Sequence, residues 1–192
     1  MKVIFLDIDG VLNTSETFRR RRINYEKTKK WDLEIDLHRV ARLKYIINMT
    51  GAKVVLSSSW RLFGDFENGE FITKSNQLKQ LLEIFSSFGI SIYDVTPHID
   101  YGSNREEEIK KWLMGKDIES FVIIDDETSF LMEFCNKELV KTSFLKDGVM
   151  LENMDDCAGL CDEHVNKAIA ILNSNQDEYK ERVLKYTKGS YK

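Results

Sequence analysis

The sequence has few cysteines, a single proline and no excess of positive charge. Its three cysteines are an odd number, and Cys157 and Cys161 have no second Cys or His pair nearby to complete a zinc site, so we expect reduced thiols. The net charge of -4 argues against broad electrostatic capture of nucleic acid and leaves room only for a local basic patch. No apolar run approaches the roughly 20 residues of a membrane span, and residues 1–6 lack a signal-peptide cleavage pattern. We therefore expect a cytoplasmic protein without membrane contact.

Length and composition predict one domain with small insertions. With 192 residues, of which 42% are hydrophobic, the chain can bury roughly 70% of its unfolded surface in a single core. We expect the domain to span residues 1–172, with a flap or minimal cap at 13–35, and residues 173–192 to form a polar, frayed C-terminal helix or a tail. The sequence contains no internal repeat and no low-complexity linker, and nothing in it indicates an obligate protein partner.

Apolar strand patterns alternate with segments of helical periodicity along most of the chain. A helix predicted from the N-cap Asp36 to Gly51 precedes a strand at 53–57, and this alternation is typical of a parallel sheet with helices on both faces. Ser103 and Glu106 form a predicted capping box for a later helix. The other predicted strands are residues 3–7, 90–95, 121–125 and 138–142, and the other predicted helices contain residues 75–89 and 165–172.

Two aspartates, Asp7 and Asp9, follow the first predicted strand, and Gly10 comes directly after them. Carboxylates on alternate residues at the end of a buried strand can share a divalent cation and still have different chemical roles, which indicates phosphoryl transfer. A calcium loop of the EF-hand type is excluded, because Leu12 and Phe18 stand where that loop needs glycine and glutamate. Taken alone, an ordinary strand-to-turn exit explains the motif equally well.

Polar side chains also follow two other predicted strands. Three serines, Ser57, Ser58 and Ser59, end the second strand, and Asp125 and Asp126 end the fourth. Ligands of open parallel sheets bind beyond the carboxyl ends of the strands, so we expect these ends to meet the turn after the first strand. A serine hydroxyl there can donate to a phosphate oxygen, with help from backbone amides of the following turn. The alternatives are a helix N-cap for one serine and a solvated turn for the aspartate pair.

Four stretches of the sequence resemble, in order, the motifs of the haloacid dehalogenase-like (HAD) phosphohydrolases, over residues 3–126. They are Val-Ile-Phe-Leu-Asp-Ile-Asp-Gly-Val-Leu, Val-Val-Leu-Ser-Ser-Ser, Arg105 at a helix start, and Val-Ile-Ile-Asp-Asp. Further stretches at 50–61, 96–97, 105–113 and 139–142 resemble the HAD module of Swiss Army Knife RNA repair proteins.

The resemblance implies a Rossmann-like HAD α/β fold, with a parallel central sheet flanked by helices and a small or absent cap. It also implies Mg²⁺-dependent hydrolysis of phosphate monoesters through an aspartyl-phosphate, the usual reaction of the superfamily. Dehalogenases of the superfamily lack the second aspartate and its ATPases replace it, so the presence of Asp9 favours a phosphatase.

Roles for individual residues follow from the same resemblance. Asp7 would attack phosphorus as the nucleophile while binding Mg²⁺. Asp9 would protonate the leaving alcohol and then activate water, with its backbone carbonyl on the metal. Ser57 and Arg105 would each hold a phosphate oxygen. Many family members have lysine at the Arg105 position, which makes two lysines alternative candidates: Lys110 and Lys111.

The predicted acidic cluster needs a cation. Two like charges about 4 Å apart repel by roughly 4 kcal/mol at an effective dielectric near 20, and the same carboxylates would repel a phosphate dianion. Mg²⁺ prefers hard oxygen ligands and relieves this repulsion. We predict Mg²⁺ ligands at Asp7, Asp9, Asp125 and Asp126. Asp126 is the predicted direct ligand and Asp125 binds through water or holds Arg105, although the reverse assignment of that pair stays open.

Substrate selection is assigned to the insertion at 13–35, which carries a basic cluster and Trp31. On an acidic protein, such a cluster can steer a polyanion and stack a base, whereas the alternative is a solvated flap without a ligand. We expect a phosphorylated small molecule, a nucleotide or a nucleic-acid end as the substrate. The predicted substrate-binding residues are Gly10, Ser58, Arg61 and Arg20, and the basic cluster comprises Arg19, Arg20, Arg21, Arg22, Lys27, Lys29 and Lys30.

Two other classes of function stay open. A non-catalytic module could keep the metal and phosphate site for regulation or docking, although the presence of both Asp7 and Asp9 argues against it. A phosphotransferase would pass the phosphate to an acceptor other than water.

Overall fold

Parallel strands form the centre of the protein. The computed structural model describes residues 1–30, 33, 35–99, 104–135, 137–145, 158–175 and 177–188. Within these residues the strands are β1 (Lys2–Leu6), β2 (Lys53–Leu56), β3 (Gly64–Glu67), β4 (Glu70–Thr73), β5 (Ile92–Val95), β6 (Ser120–Asp125) and β7 (Leu139–Lys141). Five of them form one sheet in the order β5-β2-β1-β6-β7, with every neighbouring pair parallel. This arrangement confirms the predicted α/β fold with a parallel central sheet.

Helices cover both faces of this sheet. The described helices are α1 (Ser15–Thr28), α2 (Leu37–Thr50), α3 (Asn76–Ser87), α4 (Arg105–Leu113), α5 (Asp162–Leu172) and α6 (Asp177–Thr187), with a 3₁₀ helix at Ser59–Phe63. Ile4 and Leu6 of β1 face a core that contains apolar residues of α2, α3 and α5. Val3 and Phe5 face a second core built with α4 and α6. Because β1 is buried on both faces, its sequence is a continuous apolar run instead of an alternating one.

The helix caps explain several of the boundaries. Asp36 caps α2 by accepting the backbone N–H of His38 at 2.9 Å, and Gly51 ends that helix with a left-handed φ of 69°, as predicted. The helix α4 begins differently from the prediction. Its N-cap is Asn104, whose side chain accepts the Glu107 N–H at 3.0 Å, whereas Ser103 lies outside the described residues.

Three elements add to what the sequence predicted. The predicted flap at 13–35 contains the helix α1, and residues 64–73 form an antiparallel hairpin of β3 and β4 that was not predicted. The segment expected to be a frayed polar helix or a tail contains α6, which buries Tyr179, Val183 and Tyr186 against the second core. Cys135 and Cys161 are free thiols, and Cys157 lies outside the described residues. Among the helices described, none is both long and apolar enough to cross a membrane.

Candidate active site

Three neighbouring strands bring their carboxyl ends together at one edge of the sheet. The Asp7 N–H donates to the carbonyl of Ile124 at the end of β6, and the Ser57 N–H donates to the carbonyl of Leu6 at the end of β1, each at 3.0 Å. The β1 exit therefore lies between the β2 and β6 exits. This is the location that the sheet order favours for a ligand.

The aspartates at these strand ends form a compact cluster. Carboxylate oxygens of Asp7, Asp125 and Asp126 lie within 4.8 Å of one another. Asp7 is 4% exposed and Asp125 is fully buried, whereas Asp126 is only partly buried. Two carboxylates of the cluster are thus buried, and the third, that of Asp126, is partly exposed to solvent.

Gly10 lets the backbone turn beside this cluster. Its φ of 75° lies in the left-handed region, and a Cβ on Gly10 would stand 2.2 Å from the carboxyl carbon of Asp126. The Thr142 hydroxyl, at the end of β7, donates to the Gly10 carbonyl at 2.8 Å and fixes the turn. Any side chain at position 10 would therefore displace the Asp126 carboxylate.

Arg105 is the cation of the cluster. It is the first residue of α4, and its Nη1 lies 3.3 Å from Asp7 Oδ1 and in closer contact with Asp125 Oδ2. The other Asp125 oxygen accepts the Glu127 N–H at 2.9 Å. Asp125 therefore holds Arg105, which is one of the two roles predicted for it. The lysine alternatives lie elsewhere: Lys110 binds Glu106 at 2.7 Å and also contacts Glu133, and Lys111 is exposed.

The positive charge of Arg105 does not fully offset the effect of burial on the pKa values of the three clustered aspartates. Burial raises the pKa of Asp7 to about 7; the Arg105 guanidinium opposes this shift, and the neighbouring Asp125 adds to it. Burial, reinforced by Asp125, raises the pKa of Asp126 to about 6. The pKa of Asp125 is also raised by burial. A bound cation would favour the ionised forms of all three carboxylates.

The donor set fits Mg²⁺. It consists of hard carboxylate oxygens that converge within a few ångströms, and Mg²⁺ is bound through one or two carboxylates while it keeps several waters. Asp7 and Asp126 are the residues that would hold the ion, because Arg105 already occupies an oxygen of Asp125.

Ser57 and Ser58 line the same edge. The Ser57 hydroxyl is buried and has no hydrogen-bond partner within the part of the chain that the structure describes. Ser58 caps the 3₁₀ helix by accepting the Trp60 N–H at 3.4 Å, as the N-cap alternative predicted for one of the serines, and a hydrogen bond from its hydroxyl moderates the rise in the pKa of Asp7. A buried hydroxyl without a partner costs free energy, and such a group is often paired by a ligand. Ser57 is thus available to a phosphate oxygen.

Arg61 is directed into the protein instead of toward the cluster. The guanidinium is buried and joins the ends of β2 and β5 to α4. Its acceptors are the carbonyls of Ser57 and Ser58, each at 2.9 Å, the Thr96 carbonyl at 3.0 Å, and Glu108 Oε2 at 2.6 Å. These contacts give Arg61 a structural role, and its contact with substrate stays a prediction.

Asp9 lies outside the compact cluster and is held by two side chains that the sequence analysis missed. Asn13 Nδ2 donates to its Oδ1 at 2.8 Å, and Trp60 Nε1 donates to its Oδ2 at 2.9 Å. Asn13 lies only four residues after Asp9, in the tight turn that follows β1. This spacing could have indicated the contact from the sequence. The Trp60 contact joins residues 51 apart in sequence, and no local pattern could have indicated it.

Five residues of the basic cluster lie on α1, which starts directly after the β1 turn, and Lys29 and Lys30 follow its last residue. The first turn of α1 is anchored, since Phe18 packs edge-on against Phe144 with ring centroids 5.5 Å apart. Most residues after Thr17 are exposed, and Arg20 is half-buried. Salt bridges join two of the arginines to glutamates of the same helix: Arg19 to Glu16 at 2.8 Å and Arg22 to Glu26 at 3.5 Å. Trp31 lies outside the described residues.

Comparison with protein families matches residues 3–153 to the model described as the HAD domain in Swiss Army Knife RNA repair proteins. Comparison with curated proteins and with solved structures gave no match. The matched range contains most of β1 and its turn, the serines after β2, Arg105 and the aspartates at the end of β6. The chain therefore belongs to the family of HAD domains in Swiss Army Knife RNA repair proteins, and this membership supports a hydrolase of the phosphatase type.

Proposed function

We propose that the protein is a Mg²⁺-dependent phosphatase that hydrolyses phosphate monoesters through an aspartyl-phosphate on Asp7. The observation that carries this proposal is the convergence of Asp7, Arg105, Asp125 and Asp126 at one sheet edge, beside the buried, unpartnered Ser57 hydroxyl. A nucleophile, a cation and a phosphate-binding hydroxyl are the groups that this reaction needs from the protein.

The reaction divides into two displacements at phosphorus. In the first, an Asp7 carboxylate oxygen attacks, the bond to the leaving oxygen breaks, and Asp9 gives that oxygen a proton. In the second, the Asp9 carboxylate takes a proton from water, the water oxygen attacks phosphorus, and the bond to Asp7 breaks to release inorganic phosphate. Arg105 and Ser57 hold non-bridging oxygens through both steps. Bound Mg²⁺ would supply the remaining neutralisation of carboxylate and phosphate charge.

Turnover of an aryl phosphate tests the reaction class. We expect release of p-nitrophenol from p-nitrophenyl phosphate with Mg²⁺ and none after chelation. Absence of turnover with Mg²⁺, Mn²⁺ and Co²⁺ would contradict the proposal and favour a non-catalytic phosphate-binding module. Competition by added alcohols distinguishes hydrolysis from phosphotransfer, because a phosphotransferase would form the new ester in place of inorganic phosphate.

The proposed substrate class is a phosphate on a nucleotide or a nucleic-acid end. Two observations support it: α1, which carries basic residues from Arg19 onward, begins shortly after the Asp7 turn, and the family description names RNA repair proteins. Lys and Arg contacts to phosphates dominate the affinity of nucleic-acid complexes and make it depend on salt.

The matched test compares two double charge reversals of equal size. Arg20→Glu with Arg22→Glu changes α1, whereas Lys53→Glu with Lys79→Glu changes exposed lysines on β2 and α3. We expect the α1 variant alone to weaken binding of an end-phosphorylated oligonucleotide and to flatten its salt dependence. Equal affinities of the two variants would show that α1 does not bind the substrate.

A further inference from the structure

The proposed acid/base residue is oriented by two neutral side chains. Resting on the proposed function, we propose that Trp60 and Asn13 are positioning residues that hold the Asp9 carboxyl group for proton transfer to the leaving oxygen. Trp60 Nε1 lies 2.9 Å from Asp9 Oδ2, and Asn13 Nδ2 lies 2.8 Å from Asp9 Oδ1. One donor for each oxygen fixes both the position and the plane of the carboxyl group.

Asn13 is itself held from the other side. Its Oδ1 accepts the Gly10 N–H at 3.2 Å, so its amide can present only the NH₂ group to Asp9. The side chain is 2% exposed, and the backbone of Asn13 bridges to that of Asp9. The β1 turn therefore orients the first oxygen of Asp9 through its own backbone.

Trp60 reaches Asp9 from a different strand end. It lies in the 3₁₀ helix that follows the phosphate-binding serines, and its backbone N–H donates to the Ser58 hydroxyl at 3.4 Å. An indole N–H can only donate, so the Asp9 oxygen is the acceptor without ambiguity. One short turn thus carries both Ser57, which would hold the phosphate, and Trp60, which orients the proton donor. The turn therefore sets the distance between the Ser57 hydroxyl and the Trp60 indole.

Proton delivery matters most for poor leaving groups. A p-nitrophenolate ion leaves without a proton, whereas an alkoxide from an alkyl phosphate needs one from the acid in the transition state. Loss of the correct orientation of the Asp9 carboxyl group should therefore slow hydrolysis of an alkyl phosphate far more than hydrolysis of p-nitrophenyl phosphate. Loss of structure elsewhere would slow both substrates by the same factor.

The experiment measures kcat/KM of the full chain with Mg²⁺ for p-nitrophenyl phosphate and for an alkyl phosphate. Trp60→Phe keeps the aromatic ring and removes the N–H, and we expect it to lower the alkyl rate at least about tenfold more than the aryl rate. Asn13→Ala should shift the ratio in the same direction. The matched control is Trp112→Phe in α4. The Nε1 of Trp112 also donates to a carboxylate, at 2.7 Å from Asp94 Oδ2. This variant should leave the ratio unchanged.

The outcomes separate the two proposals. A wild-type ratio in both Trp60→Phe and Asn13→Ala, with normal turnover by the unmodified protein, would overturn the positioning role alone. No turnover of either substrate by the unmodified protein would overturn the proposed function and this inference with it. If Trp60→Phe fails to fold, as judged by its melting temperature, the ratio in Asn13→Ala decides.

Discussion

At the scale of single residues, Arg105 is the cation that contacts the clustered carboxylates. Arg105 lies against two of the three clustered carboxylates, and the third, Asp126, is the neighbour of Asp125 in the same turn. Burial raises the free energy of the ionised carboxylates, and the pKa values of Asp7 and Asp126 are therefore raised. A further cation in the cluster would lower these pKa values and favour the ionised form of Asp7, the proposed nucleophile.

Replacement of Asp7, the proposed nucleophile, is the most direct test at this scale. Asp7→Asn keeps the size and polarity of the side chain and removes its ability to form the acyl-phosphate. We expect a fall in kcat of about three orders of magnitude or more with p-nitrophenyl phosphate. Rapid-quench labelling should detect a phosphoenzyme in the unmodified protein and none in the variant. Turnover of Asp7→Asn at the unmodified rate would contradict covalent catalysis by this residue.

Metal binding should depend on pH with a defined sign. The pKa of Asp7 is raised to about 7 and that of Asp126 to about 6, above the roughly 3.9 of an unfolded aspartate. At these two positions the folded, metal-free protein therefore binds more protons than the unfolded chain, and their contribution to stability falls as pH rises from about 4 to about 7. Mg²⁺ binds the ionised form, so we expect the Mg²⁺-induced rise in melting temperature to be larger at about pH 8 than at about pH 5.

The control for this pH dependence is Asp126→Asn, which removes one carboxylate from the cluster. Its melting temperature should respond less to Mg²⁺ at both pH values. An equal Mg²⁺ effect at both pH values in the unmodified protein would contradict the assignment of the ion to these aspartates.

Residues at strand ends could be predicted from sequence, whereas the long-range contacts of Trp60 and Arg61 could not. Asp7, Ser57 and the two aspartates at the end of β6 stand where apolar strands end, so the parallel-sheet rule predicted their proximity. Trp60 contacts Asp9, and Glu108 contacts Arg61, only after distant segments of the chain have packed together. Arg61 illustrates the limit, because a position next to the serines suggested substrate binding, whereas its donors point inward to backbone carbonyls.

At the scale of elements, α6 completes the hydrogen bonding of the sheet. Phe121 in β6 lies before the point where β7 begins to pair, and the Tyr179 hydroxyl takes the place of the missing strand. It accepts the Phe121 N–H at 2.9 Å and donates to the Phe121 carbonyl at 2.7 Å. A single hydroxyl thus satisfies two buried backbone groups.

Removal of that hydroxyl should therefore destabilise the protein. Tyr179→Phe keeps the ring and leaves both backbone groups of Phe121 unpaired, and we expect a loss of about 1–3 kcal/mol in the free energy of unfolding by urea. Tyr45→Phe on the exposed face of α2 is the matched control and should be neutral. A stability of Tyr179→Phe equal to that of the control would show that water replaces the hydroxyl.

The missed hairpin had a local signal. Asn68 and Gly69 stand at its tip with φ values of 52° and 83°, and an Asn-Gly pair between two strand-like stretches is the strongest short-range indication of a hairpin. The stretches themselves are short and half polar, so strand periodicity alone did not reveal them. Helix α1 was missed for a different reason, because its highly charged sequence lacks an apolar stripe.

At the scale of the whole molecule, the second core depends on the C-terminal helix. Composition correctly indicated that residues 173–192 are polar, yet three buried side chains at helical spacing fasten α6 to the sheet. Their aromatic partners include Phe121 and Phe134, whose ring centroids lie 5.9 Å and 5.1 Å from that of Tyr186. A narrow apolar face is easily missed in a segment whose other residues are nearly all polar or charged.

A chain truncated after residue 175 should lose much of its stability. Without α6, the apolar surface of the second core is exposed to water, and we expect a loss of about 3–6 kcal/mol in the free energy of unfolding. Leu184→Ala, at a position of α6 that is 46% exposed, serves as the control and should change stability little. Unfolding of the truncated chain at the same urea concentration as the full chain would contradict this role of α6.

The central place of β1 has a consequence for biosynthesis. This strand leaves the ribosome before both of its neighbours, one of which lies at residues 53–56 and the other at residues 120–125. One side of β1 therefore lacks its hydrogen-bonding partner until β6 has been translated, and such an unpaired apolar edge is prone to aggregate. The strand that leads to Asp7, the proposed nucleophile, is thus synthesised early and gains its second neighbour late.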